Sequence, residues 1–423
     1  MRNLYVYIEI DGTEKLVGNI IGNGPEDACF QYAEQFLDSD HARPISISLP
    51  LQPEKFSPQK TKIFFEGLLP EGFSRRAVAN WIHTDENDYL TILACLGQEC
   101  IGAIKILSEE ETSVISEYEQ LSPEQVKALA AERAVKSTRL LIESHLSLTG
   151  ASGKVGLFYN KENGRWYLPK GEAPSTHIVK QSHVRLEQIV VNEQLCLMAA
   201  RNLGIDVANS FIINAGNARD EDVMLATERY DRTLFSERII SGMKCPFRLH
   251  QEDFAQALGI FASEKYEKDH AGYLKKMFEV LRKYSSDPIA DQLKLWDMII
   301  FNYFIGNTDC HIKNFSLLYD RYLGGIRLAP AYDILSTRVY QLTKEMSFSI
   351  GGVYAIDEIT RESFQAAAKE VGFGERMALE RFDKLAAKLE EALTKAAGEL
   401  NRMGFPYAED IKNRIWANVP CRK

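Results

Sequence analysis

Residues 306–314 read GNTDCHIKN and follow an apolar run, LWDMIIFNYFI (295–305). An aspartate, a histidine, a lysine and two asparagines therefore come directly after a stretch that we expect to be buried. A polar cluster in this position is either a turn that caps the end of the buried element or a functional site. A strand-like segment, FSLLY (315–319), comes next, so the polar residues lie in a connection between two buried elements.

The spacing within and beyond this stretch is typical of phosphoryl transfer. Asn314 follows Asp309 by five residues, and Asp333 in APAYDIL follows nineteen residues later. Protein kinases use an aspartate to accept the proton of the substrate hydroxyl, an asparagine five residues on to hold Mg²⁺, and a second metal-binding aspartate at a later turn. The alternative is that Asn307 and Asp309 cap a helix end and that Asp333 is an ordinary turn residue. The spacing alone leaves both open.

A lysine upstream favours the first interpretation. Lys180 lies on the β-branched segment STHIVKQ (175–181), where a charged side chain needs a partner. A kinase requires a lysine on a strand to bind the α- and β-phosphates of ATP. Glu193, on the following predicted helix, is a candidate ion-pair partner, and a solvated glutamate is the alternative.

Two further segments have the composition of a nucleotide site. SLTGASGK (147–154) is a loop of small residues whose backbone amides could approach phosphates, although a flexible turn is the commoner explanation. ATERYDR (226–232) follows a predicted strand at the place of the interlobe connection of a kinase. There backbone groups, with Glu228 and Tyr230 nearby, could contact adenine.

Composition excludes several other classes of protein. The 423 residues are 45% hydrophobic and 26% charged, which is typical of a globular protein of two or three domains. The net charge of −9 disfavours autonomous binding to nucleic acid. Seven scattered cysteines without a C-x-x-C pair indicate neither a disulfide framework nor a zinc ribbon, and Cys310 beside His311 is a poor zinc site. No G-x-S-x-G elbow indicates a serine hydrolase.

The beginning of the chain predicts a strand rather than a signal peptide, because MRNLYVYIEIDG alternates polar and apolar residues. No run of 18 apolar residues predicts a membrane span. We therefore expect a cytoplasmic protein without a membrane partner, in a reducing compartment that fits the cysteine usage.

The pattern along the chain predicts three parts: an α+β unit over 1–110, a sheet-rich part over 111–235 and a helical part over 236–423. The first unit begins with a hairpin, LYVYIEI-DGT-EKLVGNIIG, and ends with the strand IGAIKIL (101–107). Pro25 indicates a helix start within PEDACFQYAEQFL. The acidic segment after residue 107 is the candidate boundary, and Ser122 to Gln125 match a capping box.

The sheet-rich part contains strands before and after one helix, NEQLCLMAARNLG (192–204). In the helical part, apolar residues at intervals of three and four place one buried stripe along a long helix that ends near Gly404 and Pro406. Its members are Phe382, Leu385, Leu389, Leu393, Ala396 and Leu400. A strand-rich lobe followed by a helical lobe predicts a cleft in which a ligand binds.

Together these segments resemble the HipA family of bacterial serine/threonine kinase toxins along nearly the whole chain. Several motifs occur in the order of the family, which makes the resemblance far more specific than any single motif. They are LLPEG (68–72), LGQECIGAIKI (96–106), SLTGASGK (147–154), PKGEAPSTHIVK (169–180), VNEQLC (191–196), ERYDR (228–232), RLHQEDFAQALG (248–259), KYE (265–267), IGNTDCHIKNFSLL (305–318) and LAPAYDIL (328–335).

The resemblance implies an α+β, protein-kinase-like two-lobe fold with a β-rich N-lobe, an extra N-terminal α+β subdomain and a mostly helical C-lobe. It implies ATP and Mg²⁺ as cofactors, Asp309 as the catalytic base, and Asn314 and Asp333 as the metal ligands. Lys180 is the implied phosphate-binding lysine, and Glu228 with Tyr230 the implied hinge. Further nucleotide contacts are expected from Ala151, Ser152, Gly153, Lys154, Asp231, His311 and Lys313.

The resemblance also implies a regulation and partners. Ser147 matches the serine that family members autophosphorylate, and the added charge would repel ATP phosphates and inactivate the enzyme. The implied substrate is an aminoacyl-tRNA synthetase, glutamyl-tRNA synthetase in the best-known case. The implied partner is a small helix-turn-helix antitoxin, HipB-like, through which the kinase reaches DNA only indirectly.

The loop departs from the family pattern at Ser152 and Gly153, where members commonly carry glutamine and often a charged residue. Thr149 and Ser152 are therefore alternative phosphoacceptors to Ser147. Two alternative functions also stay open from the sequence: a small-molecule kinase of the aminoglycoside or lipid-kinase type, and a non-catalytic regulator that binds a helix-turn-helix partner.

Overall fold

The computed structural model describes residues 2–108, 115–131, 153–183, 185–234 and 237–419. Ser147, Thr149, Ala151 and Ser152, which the sequence singles out, lie outside these ranges. Within them, no helix is both long and apolar enough to cross a membrane. All the cysteines described are free thiols, as the scattered spacing predicts.

The chain begins with an antiparallel sheet of four strands in the order β3-β2-β1-β4. The strands are β1 (Arg2–Ile10), β2 (Thr13–Gly22), β3 (Cys29–Tyr32) and β4 (Ile104–Leu107). The helices are α1 (Glu34–Leu37), α2 (Pro58–Glu66), α3 (Gly72–Trp81) and α4 (Tyr89–Leu96). The predicted hairpin is confirmed as β1 and β2, and β4 closes the sheet against β1.

The prediction that a helix starts at Pro25 is wrong. Residues 23–27 form a turn in which the Asp27 carboxylate accepts the backbone N–H groups of Asn23 and Gly24. The chain then enters β3, which pairs with β2. The side chains of Phe30 and Tyr32, two residues apart, are buried together, so the period of the apolar residues here is that of a strand. Proline fixes only its own φ, and the apolar residues that follow Pro25 do not have the spacing of a helix.

A second sheet has six strands in the order β5-β7-β6-β8-β10-β9. The strands are β5 (Glu117–Gln120), β6 (Lys154–Asn160), β7 (Arg165–Lys170), β8 (His177–Gln181), β9 (Ser210–Asn214) and β10 (Val223–Glu228). The helices are α5, over residues 123–131, and α6 (Ile189–Asn202). The capping box is confirmed at the start of α5, where Ser122 and Gln125 exchange two hydrogen bonds.

The strand β10 is buried on both faces of this sheet. Val223 and Leu225 join the apolar core that contains α6, whereas Met224 and Ala226 join a separate core with Leu129 of α5. Alternate residues of a strand point to opposite faces, so one short strand is held between two helical layers. Its end, where the hinge residues begin, is therefore fixed in place.

The rest of the chain is mostly helical. The helices are α7 (Phe254–Leu258), α8 (Tyr273–Tyr284), α9 (Pro288–Ile305), α10 (Arg361–Glu370), α11 (Glu375–Arg402) and α12 (Tyr407–Ala417). The short strands are β11 (Arg232–Thr233), β12 (Ile239–Ile240), β13 (Met243–Lys244), β14 (Phe247–Arg248), β15 (Gln251–Asp253), β16 (Ser316–Tyr319), β17 (Ile326–Leu328), β18 (Glu345–Ile350) and β19 (Val353–Ala355). The predicted long helix is α11, and every member of its apolar stripe is buried.

A buried ion network fastens the N-terminal sheet unit to the remainder of the chain. Glu99 follows α4 and accepts hydrogen bonds from Arg232, Arg229 and Ser175. Asp231 pairs with the same two arginines and accepts the backbone N–H of Gly102 at 2.8 Å. Glu99, Arg229 and Asp231 are buried, and the side chain of Arg232 is only 3% exposed. Because both carboxylates share both arginines, the network joins the unit to the segment directly after β10.

Glu99→Ala should lower the free energy of unfolding by about 3–5 kcal/mol, because it leaves Arg232 in a buried position with one partner fewer. Urea denaturation measures the effect. Glu119→Ala is the matched control, since Glu119 pairs with Lys170 at the exposed edge strand and should change stability by less than about 1 kcal/mol. Equal transition midpoints for the two variants would contradict this role for the network.

Candidate active site

The stretch after α9 is held as a rigid turn by its own polar residues. Gly306 ends α9 with φ +69°, a left-handed conformation that favours glycine. Asn307 then donates from its side chain to Asn302 Oδ1 and accepts the backbone N–H of Asp309. Asn314 donates from Nδ2 to the carbonyl of Asp309 at 2.9 Å. The stretch is thus both a cap and a scaffold that presents two of the predicted site residues together.

Asp309 opens to the cleft, and one side chain of the described ranges donates a hydrogen bond to its carboxylate. The phenol hydroxyl of Tyr266 donates to Asp309 Oδ1 at 2.6 Å. Burial raises the pKa of Asp309, and the negative charge of Asp333 raises it further, whereas the bond from Tyr266 lowers it. A carboxylate whose proton affinity is raised in this way is suited to accept a proton from a hydroxyl group.

Lys180, on β8, reaches across the cleft to two carboxylates. Its Nζ lies 2.5 Å from Glu193 Oε1 on α6 and 2.6 Å from Asp333 Oδ1. Burial disfavours the charged lysine, yet Asp333 and Glu193 raise the pKa of Lys180 above its ordinary value. The ion pair with Glu193, one of the two alternatives from the sequence, is therefore the one found, and Lys180 stays charged.

Asp333 joins this cluster from the other lobe in a backbone conformation unusual for an aspartate, with φ +55°. Lys154 lies on β6 beside Lys180, and its Nζ is 3.7 Å from Asp333 Oδ2. Although burial alone would raise it, Lys180 and Lys154 hold the pKa of Asp333 well below its usual range. Asp333 is consequently an anion that two cations face.

The polar groups around Asp333 fit Mg²⁺ and a triphosphate. Asp333 supplies an ionised carboxylate, and Asn314 an amide oxygen, both of which are ligands that Mg²⁺ prefers. No group of three His, Cys, Asp or Glu side chains that could form a metal cluster occurs within the described part of the chain. Magnesium in kinase sites is held by one or two protein ligands together with phosphate oxygens, so this sparse donor set is adequate.

His311 adds an unsatisfied polar atom to the same place. Its Nδ1 is buried and has no hydrogen-bond partner among the described residues. Burial, and then the charge of Lys265, lower the pKa of His311 to about 3, so the ring is neutral. A buried ring nitrogen without a partner, close to Lys265 and Lys313, is consistent with a phosphate contact that the protein itself does not supply.

Two adjoining cavities form the cleft. The inner one has a volume of about 790 Å³ including its mouth and is lined by Thr227, Glu228 and Tyr230 of the predicted hinge and by Leu68 and Ile101 of the N-terminal unit. The outer one, of about 1520 Å³, is lined by Asp309, His311 and Asn314. Both share Lys154, Lys180, Lys313, Tyr332 and Asp333. A nucleotide in the inner cavity would thus have its phosphates at the shared lysines.

The hinge side chains have protein partners already. Glu228 is bound by Lys161 and Asn209, and Tyr230 donates its hydroxyl to Gln251. Asp231 lines the inner cavity, but its carboxylate is engaged in the buried ion network with Arg229. The hinge therefore offers its backbone and ring surfaces to a ligand more readily than its polar side-chain atoms.

Lys313 is anchored by residues that sequence reasoning did not identify. Its Nζ lies 2.6 Å from Asp253 Oδ2, 3.2 Å from the carbonyl of Gly67 and 3.7 Å from Glu71 Oε1. Glu71 also pairs with Lys265 at 2.6 Å. Burial opposes the ionised form of Glu71, but Lys313 and Lys265 hold the pKa of Glu71 below its ordinary value. The N-terminal unit thus supplies a charged side chain to the cleft.

Sequence reasoning located most of the polar side chains that converge here and missed others, Lys265 among them. Gly153 precedes β6, and its carbonyl accepts the N–H of Gln181 next to Lys180. Glu71, Asp253 and Tyr266 were missed as site residues, although each lies in or next to a motif that the sequence displays, LLPEG, RLHQED or KYE. The motifs were the only indication in the sequence that these residues belong to the site, and a motif does not show which distant residue its members contact.

Two protein-family models match this chain, and their ranges do not overlap. Residues 8–107 match the HipA N-terminal domain, and residues 146–393 match the HipA-like C-terminal domain. The second match alone covers more than half of the chain.

Individual proteins agree with these matches. Y4mE of Sinorhizobium fredii is 34% identical over 391 residues, which are 90% of this chain and 89% of that protein. The serine/threonine-protein kinase toxin HipA of Shewanella oneidensis is 24% identical and covers 83% of this chain and 80% of its own length.

A solved structure shows the same fold. The Shewanella oneidensis HipA structure, determined as a complex with HipB and its operator DNA, superposes with a TM-score of 0.79 at 21% identity and covers 98% of this chain and 96% of that one. This likeness confirms the kinase-like two-lobe α+β fold. With the family matches, it leads to one conclusion: the chain belongs to the HipA family of serine/threonine-protein kinases.

Proposed function

We propose that this kinase transfers the γ-phosphoryl group of ATP, with Mg²⁺, to a serine or threonine of a protein, and that it is the toxin of a toxin–antitoxin pair. The observation that supports this most is the convergence of Lys180, Asp309, Asn314 and Asp333 on one cleft. These residues lie up to 153 positions apart in the chain, as between Lys180 and Asp333.

Each residue has a role that follows from its chemistry. Lys180 and Lys154 bind phosphate oxygens, with Glu193 holding the Lys180 ammonium in place. Asp309 accepts the proton of the acceptor hydroxyl. Asn314 and Asp333 hold the metal, which when bound neutralises charge on the phosphates. Lys313 and His311 line the region that would hold the phosphates. The segment from Glu228 to Asp231 lines the part of the cleft that would hold adenine.

The substrate and partner follow from the resemblance and from the named relatives. We assign the acceptor to a component of translation, such as an aminoacyl-tRNA synthetase, with glutamyl-tRNA synthetase as the first candidate, and the site of action to the cytoplasm. Because the Shewanella relative was solved with HipB and operator DNA, we infer a helix-turn-helix antitoxin as the partner. The net charge of −9 supports contact with DNA through that partner rather than directly.

Asp309→Asn should lower phosphotransfer by roughly a hundred-fold or more, because the amide cannot accept the proton. The measurement is incorporation of ³²P from labelled ATP, with nucleotide affinity determined in parallel. Asp410→Asn is the control, since Asp410 lies on the exposed side of α12. Retention of phosphotransfer by Asp309→Asn would remove Asp309 from its assigned role.

Incubation of the wild-type kinase with a bacterial lysate and labelled ATP should label a discrete protein band, because a protein kinase recognises a particular acceptor. The Asp309→Asn variant provides the background. Mass spectrometry of the labelled band identifies the acceptor. Label that appears only in small molecules would contradict a protein acceptor and favour a small-molecule kinase.

Autophosphorylation should occur on Ser147, and the phosphorylated enzyme should bind ATP more weakly, since about two added negative charges would repel the ATP phosphates. Phosphopeptide mapping after incubation with ATP locates the modification. Ser147→Ala removes the preferred acceptor, and Thr149→Ala and Ser152→Ala test the two neighbouring hydroxyls. Modification at none of the three positions would remove the proposed inactivation.

A further inference from the structure

Tyr266 occupies the place on Asp309 that an acceptor hydroxyl needs. Its phenol oxygen lies 2.6 Å from Asp309 Oδ1, which is the distance expected of a hydroxyl group whose proton the carboxylate is to accept. The same tyrosine lines the outer cavity together with Asn314 and Asp333. An acceptor serine, or a water, that takes this same position on Asp309 Oδ1 must displace the Tyr266 hydroxyl.

The backbone on both sides of Tyr266 is firmly anchored. Lys265 pairs with Glu71 at 2.6 Å. Glu267 is buried and accepts the N–H groups of Tyr273 and Ser349, while its own N–H donates to the carbonyl of Ser347. The neighbours of Tyr266 in sequence therefore hold the position of its Cα.

The Tyr266 side chain, in contrast, is 43% exposed. Its ring contacts the ring of His311 edge-on, with centroids 5.3 Å apart, and lies 5.4 Å from the Lys265 ammonium. An exposed side chain on a fixed backbone can leave Asp309 by rotation about χ1 alone, on a timescale far shorter than catalysis. No movement of the loop is needed to free the carboxylate.

Water is the group that would otherwise bind at this position. A kinase with ATP bound and an open carboxylate can activate water in place of the protein hydroxyl. The oxygen of water then bonds to the γ-phosphorus, the bond from that phosphorus to the bridging oxygen breaks, the proton passes to Asp309, and ADP leaves. Water can reach this position on Asp309 only if the hydrogen bond between the Tyr266 hydroxyl and Asp309 is broken first.

We propose that Tyr266 is a placeholder that keeps water away from Asp309 until a protein hydroxyl displaces it, and so limits unproductive hydrolysis of ATP. The proposal rests on the proposed role of Asp309. It makes Tyr266 a positioning and specificity-determining residue, whose effect lies in the choice between water and a protein hydroxyl as the acceptor.

Tyr266→Phe tests the proposal, because it leaves the ring and opens a space the size of one hydroxyl, which water fills. Phosphate release from Mg-ATP without added acceptor should rise by roughly five-fold, the factor that one net hydrogen bond represents. Autophosphorylation is measured in parallel, so that a general loss of activity is distinguished from a change of acceptor. Tyr273→Phe is the matched control, since its hydroxyl donates to the carbonyl of Glu264 at 2.8 Å, and it should hydrolyse ATP at the wild-type rate.

A second measurement uses the protein without nucleotide. Tetranitromethane nitrates tyrosines through the phenolate, and burial together with the charge of Asp309 raises the pKa of Tyr266. Nitration of Tyr266, followed by mass spectrometry, should therefore be slow in the wild type and faster in Asp309→Asn. Equal rates would show that the two side chains do not interact in solution and would overturn the proposal.

The outcomes separate this inference from the proposed function. If Asp309→Asn retains phosphotransfer, the role of Asp309 itself is wrong. If Asp309→Asn is inactive but Tyr266→Phe hydrolyses ATP no faster than Tyr273→Phe, the placeholder is wrong and the kinase assignment stands. Loss of autophosphorylation and hydrolysis together in Tyr266→Phe also overturns it. The double variant Asp309→Asn with Tyr266→Phe should abolish any increase.

Discussion

The site depends on one half-buried carboxylate, that of Asp333, held between Lys180 and Lys154. Removing an isolated anion from water is costly, and this one is tolerated because two ammonium groups compensate it, that of Lys180 through a direct hydrogen bond. The lysines come from adjacent strands of the six-stranded sheet, while Asp333 follows β17 in the other lobe. The ion pairs therefore fix the distance between the two lobes at the point where chemistry occurs, and Glu193 adds α6 to the same cluster.

The N-terminal unit is part of this site and not an appendage to it. The carbonyl of Gly67 and the carboxylate of Glu71 both contact Lys313, and Leu68 forms a wall of the inner cavity. The network around Glu99 anchors the same unit to the segment after β10. A change in the position of the unit would thus reach Lys313 and the hinge together, because ion pairs and hydrogen bonds join both of them to it.

Local patterns predicted the elements of this fold that local physics determines. The hairpin, the capping box at Ser122 and the stripe of α11 depend on neighbours within a few residues, and each is found. Pro25 misled because a proline restricts only its own φ, whereas the pairing of β3 with β2 decided the structure of the segment that follows. Tertiary pairing overrides a weak local signal.

The site was predictable to a similar degree and for a related reason. Asp309, Asn314 and Asp333 have a spacing that matches kinase chemistry, and together with Lys180 upstream it favoured their convergence over a simple capping turn. Glu71 and Asp253 reach Lys313 from 242 and 60 positions away, and no periodicity specifies such contacts. Tyr266 is separated from Asp309 by 43 positions. Only the three-dimensional structure, which packs the N-terminal unit and the KYE segment against the catalytic turn, identifies these three residues as part of the site.

The charged groups of the cleft are already paired with one another, which determines what a ligand must do there. Lys180, Lys313 and Asp333 each have a protein partner within 2.6 Å, so a nucleotide exchanges existing ion pairs instead of filling an uncompensated site. Such an exchange favours a ligand that brings both negative phosphates and a cation, since phosphates alone would leave Asp333 without its lysines. Magnesium and the triphosphate are therefore expected to bind together, and the prearranged charges need little reorganisation when phosphoryl transfer occurs.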